Sequence, residues 1–314
     1  MLLFVILGLT RMSHLLLPTR RQFLLAGIAA GGVAASGCGR HVAQEMFPGV
    51  LADFTPIDNL PLPTLQIGAA GPGVVVLHEL PGLTKDDLAL ARGLSRRGFR
   101  VYVPVLFGKP EMDNFISGYQ KACGGTHPPF NCSDLSARSP ILDKLAPLCE
   151  AVARRSTPTI GAIGMCLSGI LPLALLSHGV DAAVLCQPTV PFSKVPPKPN
   201  EKQAPDLGLG QTDLDSALKS SVPFLLVHYV GDELCPPERV REIRKKFTTR
   251  VATIDLTGSH HSSLASDFDN NAFEDAVTYL KVRLGSEAGP RPMRAAKLAD
   301  RACAINADRV WQTN

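Results

Sequence analysis

The chain has little net charge. Its 314 residues carry 32 basic and 28 acidic side chains, a formal +4, and Arg11, Arg20 and Arg21, with no acid among residues 1–37, leave only +1 from residue 38 onward. That excludes the basic surface with which proteins hold nucleic acid, so no nucleic-acid partner is expected. No segment repeats, which excludes a solenoid or an array. No histidine pair has the His-Glu-x-x-His spacing of a zinc hydrolase, and no metal or other cofactor is expected. Nor does any stretch reach the ~20 apolar residues of a membrane span, since residues 22–37 are too few and too rich in glycine. With 45% hydrophobic residues, the chain from residue 38 on is long enough to bury one complete α/β core.

What is present is an alternation. Val74–Leu77, Phe99–Val105, Thr159–Ile163, Ala182–Cys186, Pro223–Val230 and Val251–Leu256 are apolar, β-rich runs. Helical patterns at Asp86–Arg97, Leu167–Leu176, Pro237–Phe247 and Ala272–Leu284 alternate with them. Strands that are apolar on both faces are parallel strands covered by helices on both sides. The expected fold is therefore α/β, a doubly wound and mostly parallel sheet.

Gly164-Met165-Cys166-Leu167-Ser168-Gly169 joins one of these strands to the apolar helical run that follows. That is the setting of a nucleophile elbow, where the chain turns sharply and small residues must flank the residue at the tip. Gly164 meets the requirement, Ser168 approximates it, and Cys166 stands at the tip. Ser168 is the rival nucleophile, but Cys166 and Ile170 flank it and break the Gly-x-Ser-x-Gly pattern. The plainer alternative is a buried structural cysteine, and the hexapeptide alone leaves the two readings even.

In such sheets the reactive groups lie beyond the carboxyl ends of the strands. Three partners stand there: Glu79 after the first run, Asp232 in Gly231-Asp232-Glu233, and a histidine in Gly258-Ser259-His260-His261. The order nucleophile, acid, histidine is that of α/β-hydrolases. Each has a structural alternative: Asp232 could shape a turn or cap a helix, Glu79 could be a solvated loop carboxylate, and His260 could be the base. His127, His178 and His228 read as ordinary loop or core residues.

The chain resembles the dienelactone hydrolase family, α/β-hydrolases with a cysteine nucleophile. The resemblance covers roughly residues 48–284 and rests on His78-Glu79 with Pro81-Gly82-Leu83, Arg100–Phe107 with Pro104, the Gly-x-Cys-Leu elbow, Gly231-Asp232 with Pro236, and His261-Ser262. It implies Cys166 as nucleophile, Asp232 as orienting acid and His261 as base. Glu79 would contact the resting thiol and help to generate the thiolate, and the backbone N–H groups of Leu80 and Leu167 would form the oxyanion hole. A free thiol ionises near ~8.5, so a neighbouring base or helix N-terminus is needed, and His261 with a helix starting at Leu167 is expected to supply both. The implied activity is hydrolysis of a small ester or lactone. A thioesterase or peptide-directed hydrolase on the same fold is the alternative within the class, and a ligand-binding surface lipoprotein with a silent site is the alternative outside it. Family members bind the dienelactone carboxylate with arginines, one of them four residues after the histidine. Ala265 stands at that position, so neutral substrates are expected.

The N-terminus carries an address. Thr19-Arg20-Arg21-Gln22-Phe23-Leu24 reads as a twin-arginine export signal, followed by an Ala/Gly-rich apolar segment and by Ala35-Ser36-Gly37-Cys38, which resembles a lipobox. Met1–Thr10 is an additional apolar stretch, and Met12 is an alternative start. The expected organisation is a signal peptide (1–37), lipidation at Cys38, a linker (38–47), an α/β-hydrolase domain (48–284) and a C-terminal appendage (285–314) with a helix around Arg294–Cys303. This places the protein in the cell envelope, anchored to a membrane through lipid on Cys38, and a monomer is expected. Of the eight cysteines, Cys123 and Cys132 are the best local disulfide pair. Two long connections remain: Gly108–Pro140, read as a partial lid, and Thr189–Ser221, read as a surface excursion with a short helix near Asp213–Lys219.

Overall fold

The computed structural model describes residues 53–110, 114–193 and 197–285. The signal peptide, Cys38, the linker, Cys303 and the helix expected around Arg294–Cys303 lie outside them.

The strands, in chain order, are β1 (Thr55–Ile57), β2 (Thr64–Ile67), β3 (Gly73–Leu77), β4 (Arg100–Pro104), β5 (Ile160–Met165), β6 (Val180–Cys186), β7 (Phe224–Tyr229) and β8 (Val251–Leu256). The helices are α1 (Lys85–Arg96), α2 (Phe115–Cys123), α3 (Leu142–Arg155), α4 (Leu171–Ala174), α5 (Gln211–Lys219), α6 (Pro237–Lys246) and α7 (Asn270–Leu284). One eight-stranded sheet runs β1-β2-β4-β3-β5-β6-β7-β8. From β4 to β8 every pairing is parallel, and β1 and β2 add an antiparallel edge. This is the α/β-hydrolase sheet.

Alternation along β3 shows how the core is divided. Val75 and Leu77 enter one apolar cluster with Leu145 and Leu148 of α3, Leu173 of α4 and Ile243 of α6. Val74 and Val76 enter the other, with Ala91 and Leu94 of α1 and Ala276 and Val277 of α7. All five residues of β3 are buried, and each such valine or leucine contributes roughly 1.5–3 kcal/mol by leaving water. β3 is also where the sheet changes direction, with the chain going outward to β4 and then back past β3 to β5. The crevice beyond the ends of β3 and β5 is thus the switch point at which such sheets place their sites.

The helical run expected over Leu167–Leu176 is broken. Cys166–Ser168 form a 3₁₀ turn, α4 has only four residues, and a second 3₁₀ turn occupies Leu175–His178. Pro172 has no N–H to offer the Ser168 carbonyl, so a continuous helix cannot form here. The long helix expected to begin at Leu167 is therefore absent.

Both long connections are tied to the body. In the first, Cys123 and Cys132 are disulfide-bonded and Phe130 is fully buried. Gly118 of α2 lies so close to Pro81 that an added Cβ would stand 2.0 Å from the Pro81 carbonyl oxygen. This segment packs on the loop carrying Glu79 and Leu80, as a wall. The second is corrected from a surface excursion to a part of the core, although its helix, α5, is present. Val190, Phe192, Leu207 and Leu209 are buried. Arg239 of α6, itself wholly buried, donates to the carbonyls of Asp206 (2.8 Å), Pro188 (3.0 Å), Pro191 (2.8 Å), Gln203 (2.7 Å) and Thr189. Five carbonyls satisfy a guanidinium that would otherwise be prohibitively costly to bury.

Candidate active site

Cys166 sits at the tip of the elbow with φ +50°, a strained value for a residue with a side chain. Its side chain is held beyond the sheet, with 6% of the residue exposed. Gly164 makes the turn sterically feasible, since a Cβ there would lie 2.3 Å from the Ser168 carbonyl oxygen. Ser168 is fully buried and committed elsewhere: its Oγ accepts from Met165 N–H (3.1 Å) and lies 2.9 Å from the Leu77 carbonyl oxygen and 3.0 Å from that of Met165.

Asp232 and His261 meet across the ends of β7 and β8. His261 Nδ1 is 2.7 Å from Asp232 Oδ2, while Asp232 Oδ1 accepts from Leu234 N–H at 2.8 Å. Asp232 is almost wholly buried, and the His261 side chain keeps 20% exposure. Its loop is fixed by Asp267, whose Oδ2 accepts from the N–H groups of His261 (3.0 Å) and Ser262 (3.1 Å). His260 points elsewhere, 65% exposed, against the Tyr229 ring. The structure therefore pairs the acid with His261 and not with His260.

Glu79 completes the group. A Glu79 carboxylate oxygen, Cys166 Sγ and a ring nitrogen of His261 lie within 4.8 Å of one another. These donor types also suit zinc, and they form the one such cluster among the described residues. Glu79 is buried and its Oε2 makes no hydrogen bond. Burial pushes its carboxyl up, while the charge of His261 and the nearby Ser262 and Gln187 side chains favour its ionised form. On His261 burial opposes a charge, but the Cys166 sulfur and the Asp232 carboxylate outweigh it and hold the imidazole protonated well above the ordinary histidine range. Leu80 and Leu167 follow Glu79 and Cys166 directly, and the N–H of Leu167 lies in a first helical turn with no helical acceptor.

Four further residues complete the surroundings, of which the sequence offered only His78, as the neighbour of Glu79 in the resembling motif. His78 is buried and neutral, burial holding it down to about 4. Leu106 N–H donates to its Nε2 at 2.9 Å, so Nδ1 carries the proton and donates to the Glu79 carbonyl at 3.1 Å. Gln187, at φ +34°, accepts from Ser263 Oγ at 2.7 Å and leaves its buried Nε2 without a partner. Thr189 touches the elbow itself, with N–H to the Cys166 carbonyl (3.1 Å) and Oγ1 3.5 Å from Cys166 Sγ. Asp267 is the fourth. His78 and Gln187 directly follow the ends of β3 and β6, a position that could have marked them, whereas Thr189 and Asp267 carry no such signal. His228 and His178 are structural, bonded to Asp255 (2.9 Å) and Glu150 (3.1 Å). A cavity of about 600 Å³ lies apart from the cluster, between Leu106, Phe107, His127 and Ile141. No residue of the Cys166 cluster lines it.

Comparisons with solved structures agree on the fold. A Klebsiella pneumoniae protein described as a dienelactone hydrolase superposes with a TM-score of 0.54 at 17% identity, covering 74% of this chain and 98% of that one. An esterase from Pyrococcus furiosus gives 0.53 at 14%, covering 81% and 96%. A dienelactone hydrolase-like promiscuous phosphotriesterase from metagenomic libraries gives 0.50 at 16%, covering 79% and 98%. No curated protein sequence matches the chain. The model of the dienelactone hydrolase family matches residues 63–277. That match runs from the start of β2 into α7, spanning Glu79, Cys166, Asp232 and His261, and takes in most of the chain, which is thus a hydrolase and belongs to the dienelactone hydrolase family.

Proposed function

We propose that the protein hydrolyses small, neutral esters or lactones through an acyl-enzyme on Cys166. The observation that carries this reading is the Asp232–His261 contact of 2.7 Å beside a cysteine at the tip of a positive-φ elbow. The Cys166 sulfur attacks the ester carbonyl carbon, and the carbonyl electron pair moves onto oxygen, which the Leu80 and Leu167 N–H groups would receive. Loss of one such donor costs about 3–4 kcal/mol in comparable enzymes. When the tetrahedral centre collapses, His261 gives its proton to the leaving alkoxide. It then takes a proton from water, which attacks the thioester and frees Cys166. Asp232 holds Nδ1 protonated and leaves Nε2 for these transfers. Glu79, buried against the pair, sets the charge balance of the resting thiol. In a lactone the leaving alkoxide stays joined to the acyl group, so one molecule of hydroxy acid is released.

The preference for neutral substrates rests on Ala265, which is buried among apolar residues, and on Arg239, whose guanidinium is occupied by main-chain carbonyls. We further propose, from the twin-arginine and lipobox-like motifs, that the protein is exported and anchored through lipid on Cys38.

The test is turnover of p-nitrophenyl acetate and of small lactones by single and double variants. Cys166→Ala and His261→Ala should each remove most activity, and the double variant should be hardly worse than either, because members of one catalytic unit act non-additively. Full activity in Cys166→Ala with none in Ser168→Ala would transfer the role to Ser168.

A further inference from the structure

We infer that the Thr189 hydroxyl is a catalytic group of this site, a neutral donor that stabilises the Cys166 thiolate. The inference rests on the reading of Cys166 as nucleophile and adds a residue to it. Two distances carry it. Thr189 Oγ1 is 3.5 Å from Cys166 Sγ, an ordinary separation for a hydroxyl donating to sulfur. The same oxygen is 3.0 Å from the Gln187 carbonyl oxygen. A hydroxyl has a single proton, so it serves one of these acceptors at a time. While Cys166 is a thiol the carbonyl is the better acceptor, and once the sulfur carries a charge the thiolate is. Only the direction of the O–H bond changes, and the proton stays on Oγ1.

The backbone fixes this hydroxyl from two sides. Thr189 N–H donates to the Cys166 carbonyl at 3.1 Å, and Arg239 binds the carbonyls of Pro188 and Thr189 from below. Both the acceptor and the donor of the Thr189 backbone are thus engaged within or beneath the elbow. Such fixing matters because a donor aimed in advance need not reorganise when charge appears.

The need for a donor follows from the fold. The helix after the elbow is four residues long, so it offers the sulfur little of the field that a full helix N-terminus would. Glu79 is buried close by and repels a thiolate whenever it is ionised. A hydroxyl stabilises the sulfur without adding a charge that the Glu79 carboxylate would capture.

The experiment measures alkylation of the full-length protein by iodoacetamide between pH 5 and 10, read on the peptide that contains Cys166. Thr189→Val keeps the branched shape and removes the hydroxyl, Thr189→Ser keeps the hydroxyl, and Thr189→Ala replaces the valine variant if that one melts early. We expect alkylation of Cys166 at pH 6–7 to fall about tenfold in the variants without a hydroxyl, with parent and variants converging at pH 10, as loss of one hydrogen bond to a charged group predicts. Thr189→Ser should stay within about twofold of the parent. A Thr189→Val or Thr189→Ala profile superimposable on the parent's overturns the inference and leaves Cys166 as the nucleophile. A parent in which Cys166 reacts no faster than Cys149 and Cys235 overturns the nucleophile reading, and this inference with it.

Discussion

The hydroxyl of Ser168 lies 2.9 Å from the carbonyl oxygen of Leu77, 91 residues earlier in the chain, and so ties the end of β5 to the end of β3. The two loops that carry Cys166 and Glu79 are held together by a side chain that is itself a potential nucleophile. Ser168→Ala removes this tie and leaves the buried Met165 N–H without its acceptor. The expected outcome is a loss of about 1–3 kcal/mol in urea-induced unfolding, with turnover per folded molecule largely kept. Unchanged stability with abolished activity would contradict that assignment.

Asp87 gives a prediction about pH. It is fully buried on α1, where Oδ2 accepts from the N–H and hydroxyl of Thr84 at 2.7 Å each while Oδ1 has no partner. Burial, and after it the negative charge of Glu79, pushes this carboxyl up from 3.8 to about 8. The folded protein therefore keeps a proton that the unfolded chain has lost. The stability associated with that proton is complete below about pH 4 and is lost as pH rises toward about 8. Asp87→Asn keeps an oxygen for Thr84 and supplies a donor in place of Oδ1. Urea midpoints of variant and parent should separate as pH rises, with the variant ahead by roughly a few kcal/mol at pH 9. Curves that stay parallel from pH 4 to 9 would show that Asp87 does not carry this proton.

Substrate charge is the next point. With Ala265 buried where an arginine would reach a carboxylate, and Arg239 fully occupied, a neutral lactone should be turned over at least as well as dienelactone. Competition between the two in one reaction, followed by product, measures the ratio of kcat/KM directly. A strong preference for the carboxylated lactone would place an unrecognised cation at the site.

The proposed anchor is tested in cells. Cys38→Ala should move the protein from the membrane to the soluble fraction and abolish labelling by an alkyne-tagged palmitate fed to the culture. Lipid labelling that persists in the variant would sink the proposal.

The core strands were legible in the sequence, because β3, β5, β6 and β7 are buried on both faces and read as short, largely apolar runs alternating with helical patterns. β1 and β2 were not, with three and four residues and too few alternations to register. The spacing of Leu142, Leu145, Cys149 and Val152 marks α3, but Pro147 interrupts it. At the site, residues following strand ends could be placed by order alone, whereas the choice between His260 and His261 needed the Asp232 contact. Thr189 was invisible for a different reason. Its role depends on a backbone course set by Arg239, 50 residues away, and no local pattern encodes that.

The central claim is that the acyl group passes through the sulfur of Cys166, and the most direct measurement is the mass of the enzyme itself. The protein, mixed with a slowly released p-nitrophenyl ester and quenched in acid within the first turnover, should show one added acyl mass, mapped by peptide fragmentation to Cys166 and discharged by neutral hydroxylamine as a thioester. An acyl group found on Ser168 or another oxygen, or turnover by Cys166→Ala at the parent's rate, would contradict the account.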